Sequence, residues 1–147
     1  MNTNLSPYGL LLMRIALGVV LLSHSLYLKM VVFTLAGTAN YFDSIGLPGW
    51  FAYVVFFVEA IAGISLIIGF KTRLSAALVV PILLGATWAH SGNGWLFTAE
   101  NGGWEYPLFL SFIAAAVALT GPGAYALESN KLSLVDELSP AKALSNH

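Results

Sequence analysis

Glu59 lies in FFVEAIAGISLIIGF (56–70), a run otherwise made of apolar and small residues and one Ser. His24 lies in SHSLYLK (23–29), late in a second apolar run, with Ser23, Ser25 and Lys29 beside it. A carboxylate and an imidazole in such surroundings can exchange protons with a bound molecule, and ionisable groups within apolar spans mark ligand sites and proton relays. These two are the candidate catalytic residues. Arg14, Lys29, His90, Trp104 and Glu105 are the candidate substrate-binding residues, offering charge, hydrogen bonds or an aromatic face. Each also has a plainer reading. A buried ion pair can fix helix register, an acidic residue can favour a helix N-terminus, and the histidines can be hydrogen-bonded interfacial side chains.

The composition says what surrounds these groups. Of 147 residues, 58% are hydrophobic and 9% charged; a soluble domain carries about 25% charged residues. With a mean hydropathy of +0.80, lipid is the expected solvent for most of the surface. The net charge of −1 and the lack of any basic run argue against a nucleic-acid partner. The absence of Cys excludes disulfides, thiol relays and iron–sulfur ligation.

Hydropathy predicts an all-α protein, a four-helix transmembrane bundle with spans at about 8–28, 50–70, 74–89 and 105–120. These spans form a membrane domain, 1–128, followed by a polar cytoplasmic tail, 129–147. The N-terminal run lacks a basic n-region and cleavage site and reads as a retained first span. The stretch after Lys29 is too apolar for a solvated loop, and one helix from Tyr8 to Ala36 would reach about 43 Å. A break near Lys29 and a short interfacial helix between spans one and two are therefore expected. Lys71 and Arg73 in the tight FKTR turn, with Lys131 and Lys142 in the tail, place both termini in the cytoplasm. Segments 29–49 and 91–104 then face outward, with Trp50, Trp88, Trp95 and Trp104 near that boundary.

In that orientation the Cα atoms of Arg14 and Glu59 differ by about 7 Å in depth, within an arginine's reach. An Arg14–Glu59 pair is the simplest compensation for two charges that alone would each cost roughly 2.5–3.5 kcal/mol. Ala52, Ala62 and Gly63 on the same face let a neighbouring helix approach closely. His24, Lys29, Glu59, His90 and Glu105 all fall in the outer half, and are expected to converge on one polar chamber. No His or carboxylate pair has the i, i+3 or i, i+4 spacing that prepositions metal ligands on a helix, so neither a metal nor a haem is expected.

These features, in order, resemble the DoxX family of small bacterial membrane proteins. The resemblance rests on an Arg early in span one, SHSLYLK (23–29), the GLP turn (46–48) and VEAIAGISLIIGFKTRLSA (58–76). A His ending span three, GGWEYPL (102–108) and GPG (121–123) complete it, over about residues 8–128. Ser25 stands where the family usually has Gly. The resemblance implies a four-helix membrane protein, linked in some members to quinone-coupled oxidation of sulfur compounds or to redox-stress complexes.

Three functions stay open. The first is a redox-associated subunit holding a quinone-like or small oxidisable ligand in the outer chamber, with an electron-carrying partner protein. The second is a non-catalytic assembly subunit, whose partners include a second copy of the chain. The third is a permeation protein for a small molecule or protons.

Overall fold

The computed structural model describes residues 5–128; the 129–147 tail lies outside them. All regular structure among the described residues is helical. Helix α1 (Ser6–Leu22) begins with Pro7 in its first turn, where no N–H is needed. It buries Arg14, Leu17, Gly18 and Leu21, a stripe at helical spacing. It continues without a break into a π-helical segment, Ser23–Val32. The 27-residue combination, Ser6–Val32, is long and apolar enough to span a bilayer.

The break expected near Lys29 comes later, at Phe33 and Thr34. The Phe33 N–H still reaches Leu28 O at 2.8 Å, and Thr34 then turns the chain with φ 61° and ψ 156°. The Thr34 hydroxyl caps α2 (Leu35–Ser44) by accepting from Gly37 N–H at 3.1 Å. Helix α2 is the expected short element between spans one and two, and it packs on the π segment and on α3 (Trp50–Ile68). Asp43 ties the two together, its Oδ1 accepting from Gly49 N–H at 2.8 Å.

Helix α3 buries Ala52, Val55, Phe56, Glu59, Ala62, Gly63 and Leu66, and ends at Gly69 in the left-handed conformation. The three-residue turn 69–71 leads into α4 (Thr72–Ala89), and the 91–104 loop leads into α5 (Glu105–Thr120). The four long helices pack in the ring α1–α3–α4–α5, α5 closing back on α1. Leu17, Leu21, Leu66, Val79, Leu83, Leu110 and Val117 fill the centre. Helices α3 and α4 are also long and apolar enough to cross a bilayer, while the apolar α5 has 16 residues. Large apolar side chains such as Phe57, Ile61, Leu78 and Phe112 cover the outside. This is an all-α membrane bundle, whose exterior is solvated by lipid.

Helices α1 and α3 meet at two glycines. A Cβ on Gly18 would stand 2.9 Å from Gly63 O, and one on Gly63 3.1 Å from Gly18 O. Small residues give membrane helices this close approach, where dispersion and not hydrophobic burial drives association. The crossing fixes the height of Glu59, one turn before Gly63 in α3, against the π segment.

Candidate functional site

The Glu59 carboxylate is paired with Lys29, whose Nζ donates to Oε2 at 2.6 Å. Only 6% of the Glu59 side chain and 17% of the Lys29 side chain are exposed. This corrects the expected Arg14–Glu59 pair. The π segment carries Lys29 beside α3 instead of releasing it into a loop, which supplies a nearer cation.

Arg14 has a different task. Fully buried, it donates from one terminal nitrogen to Leu66 O at 2.9 Å and Ile67 O at 3.3 Å, and from the other to Ala124 O at 3.1 Å. The last four carbonyls of a helix lack intrahelical partners, so a guanidinium at the end of α3 satisfies acceptors that would otherwise be buried unpaired. A Cβ on Gly69 would collide with this guanidinium. The Arg14 Nε has no acceptor among the described residues. Arg73 does the same for α5, donating to the carbonyls of Ala118, Leu119 and Thr120. Both arginines sit at the 71–73 end of the bundle, away from the other candidate residues.

At the opposite end, each remaining candidate has its own setting. His24 Nδ1 bonds Val20 O at 3.0 Å, and its ring stacks on Tyr106 with centroids 6.0 Å apart. Since a carbonyl can only accept, Nδ1 carries the hydrogen, and Nε2 is left with its lone pair in the neutral ring. His90 Nδ1 bonds Ala86 O at 2.8 Å in the same way, beneath Gly102 of the loop. Glu105 Oε2 accepts from Phe97 N–H at 3.3 Å. Trp104 meets Trp95 edge-to-face at 4.4 Å.

The 91–104 loop is held by its own backbone. Trp104 N–H reaches Gly94 O and Glu105 N–H reaches Trp95 O, both at 3.1 Å, while Asn93 Nδ2 reaches Gly102 O at 2.8 Å. Gly103 is buried where a Cβ would stand 2.6 Å from Gly94 O, so no larger residue fits between the strands of this loop. Against α5 it leaves a groove of about 360 Å³, lined by Trp95, Phe97, Glu105, Tyr106, Leu108, Phe109 and Phe112. Five of the seven are aromatic, and Phe109 and Phe112 open it along the lipid-facing side of α5.

The structure thus joins Lys29 to Glu59, and His24 to the groove through Tyr106. Among the described residues no hydrogen bond or ion pair links any two of His24, Glu59, His90 and Glu105. Nor do any three His, Asp or Glu side chains group so as to hold a metal ion among those residues. Tyr106 and Phe97 line the groove but are not among the candidate site residues that the sequence singles out. The signal available was their place in two aromatic-rich stretches, WLF (95–97) and WEY (104–106), that flank the same loop.

Residues 9–92, more than half of the chain, match the family model described as DoxX. The chain is 32% identical over 120 residues to "Putative oxidoreductase CatD" of Bacillus subtilis (strain 168), an alignment covering 82% of this chain and 84% of that protein. It is 29% identical over 99 residues to "Inner membrane protein YqjF" of Escherichia coli (strain K12), covering 63% of this chain and 71% of that one. No solved structure matches it.

Proposed function

Because the chain belongs to the DoxX family of bacterial membrane proteins, we propose that it is a redox-associated subunit that binds a quinone-like or small oxidisable ligand at the α5 groove. The observation that carries the reading is the groove itself. Trp95, Phe97, Tyr106 and Phe109 offer faces to a flat ring, Glu105 offers a polar atom at its edge, and Phe109 and Phe112 leave it open to a ligand arriving from lipid. Binding sites are typically apolar clefts with a few placed polar groups, and this one has that balance. The oxidoreductase name of the Bacillus subtilis relative supports the same class of chemistry.

In this reading His24, stacked behind Tyr106, and Glu59, paired with Lys29, are the catalytic proton carriers, while His90 and Trp104 shape the site from the loop side. Reduction of a quinone takes two electrons and two protons. The protons pass through His24 and Glu59, and the electrons come from a redox partner protein, since no evident electron carrier stands in the sequence. The groove faces outward, and both termini lie in the cytoplasm. The protein assembles with that partner or with further copies of itself.

The test uses the four Trp residues as reporters. Titration of the protein in lipid nanodiscs with a short-chain benzoquinone is expected to quench Trp95 and Trp104 saturably, and Phe97→Ala with Phe109→Ala to weaken binding at least tenfold. Quinone-dependent turnover with the native partner is expected to fall in Glu59→Gln and His24→Ala. Linear, non-saturable quenching identical in all variants would dismiss the reading.

A further inference from the structure

Asn93 closes the short 3₁₀ turn, Ser91–Asn93, that follows α4. Its main chain belongs to that helix end, since Asn93 N–H reaches His90 O and His90 N–H reaches Ala86 O, both at 3.0 Å. Its side chain reaches forward instead. The amide Nδ2 donates to Asn101 O at 3.2 Å and to Gly102 O at 2.8 Å, across the 91–104 loop. Both partners are carbonyls, which only accept, so the NH2 group and not the amide oxygen must face them.

The two acceptors lie at a tight corner. Asn101 and Gly102 are consecutive residues at positive φ, 65° and 75°, a conformation that glycine and asparagine tolerate best. The His90 ring lies beneath this corner, where a Cβ on Gly102 would stand 3.6 Å from its Cδ2. The bonds from Trp104 N–H to Gly94 O and from Glu105 N–H to Trp95 O set the two sides of the loop against each other and against the start of α5. They do not reach α4. Among the described residues, the hydrogen bonds that join 95–104 to the 91–93 turn are the two from the Asn93 amide. Just past the corner, Trp104 meets Trp95 edge-to-face and Glu105 accepts from Phe97 N–H. The wall of the groove that faces α5, Trp95 and Phe97, therefore hangs on this corner.

We propose that Asn93 is a positioning residue of the groove: by gripping the carbonyls of Asn101 and Gly102, its amide ties the 91–104 loop to the end of α4 and so holds Trp95 and Phe97 facing α5. The wall is then built before a ligand arrives, and binding does not bear the cost of ordering it. That a ligand enters the groove rests on the function proposed above; the placement of the wall does not.

The wall is read without a ligand from the fluorine NMR spectrum of the full chain, in nanodiscs, carrying fluorotryptophan at its four Trp positions. Each resonance is assigned by a single Trp→Phe replacement. Asn93→Ala and Asn93→Asp are both expected to move or broaden the Trp95 and Trp104 resonances while Trp50, in α3, and the helical content stay unchanged. Aspartate has the shape of asparagine without its donors. Resonances unmoved in both variants, or moved by alanine and not by aspartate, overturn the proposal. Titration with a short-chain benzoquinone is expected to show about tenfold weaker binding in both variants, the scale of one or two neutral hydrogen bonds. Saturable binding of equal affinity in all three chains overturns the positioning role. Non-saturable quenching in the unaltered chain instead refutes the function proposed above, and the fluorine spectra then decide the role of Asn93 by themselves.

Discussion

Replacing Lys29 by Met removes the cation from a carboxylate that is 6% exposed, and keeps a side chain of similar length and flexibility. Breaking a buried pair from one side costs about 3–5 kcal/mol, because the remaining charge keeps its desolvation penalty without its partner. A lone carboxylate at the centre of a spanning helix costs about 2.5–3.5 kcal/mol on an insertion scale. Lys29 is itself partly exposed, so its own desolvation penalty is smaller, and about 3 kcal/mol is the expected loss for Lys29→Met. Glu59→Leu should lose less, about 1–2 kcal/mol, since the longer lysine can extend toward the interface. Replacing both at once, Lys29→Met with Glu59→Leu, leaves no charge to strand and should return within about 1 kcal/mol of the original stability. The assay is reversible unfolding in mixed detergent followed by Trp fluorescence, with all four chains compared. A Lys29→Met loss below about 0.5 kcal/mol, typical of exposed pairs, or losses that simply add in the double variant, would refute the account of this pair.

Two further outcomes follow from the packing. Arg14→Met strands the carbonyls of Leu66, Ile67 and Ala124; at about 1–3 kcal/mol for each buried unpaired group, the variant should be among the least stable in the same unfolding assay. Gly63→Ala places a methyl group 2.9 Å from the Leu22 side chain and 3.1 Å from Gly18 O, and should lose about 1–3 kcal/mol through overpacking, whereas Gly85→Ala, with nothing within 4 Å of its Cβ, should be neutral or gain from helix propensity.

Helix existence was legible because long apolar runs have one solution in lipid, and α5, predicted at 105–120, has those bounds. The inward face of α3 was legible for the same kind of reason: Ala52, Ala62 and Gly63 are small, and a charge among them cannot face hydrocarbon. The partner of Glu59 was not. A search for countercharges by depth treats Arg14 as available, and the acceptors that claim it are main-chain carbonyls, which every residue carries and no composition reveals. They become visible only when the end of α3 at Gly69 and the return of residues 121–128 are known. The π segment was hidden as well, because the residue types of Ser23–Val32 read as ordinary helix. The groove escaped because its walls come from residues about ten apart, joined by loop hydrogen bonds that local patterning does not specify.

The return of residues 121–128 also bears on traffic. Ala124 N–H is held by Pro7 O at 2.9 Å and Glu128 N–H by Gly69 O at 3.0 Å, the Glu128 carboxylate accepts from Thr72 N–H at 3.0 Å, and Ala126 is fully enclosed. Main chain from both extremities of the described residues is thereby laced across one mouth of the bundle, like a cork tied into a flask. A solute passing lengthwise between the helices would first have to untie those strings. Exchange sideways from the bilayer, as at the α5 groove, disturbs none of them.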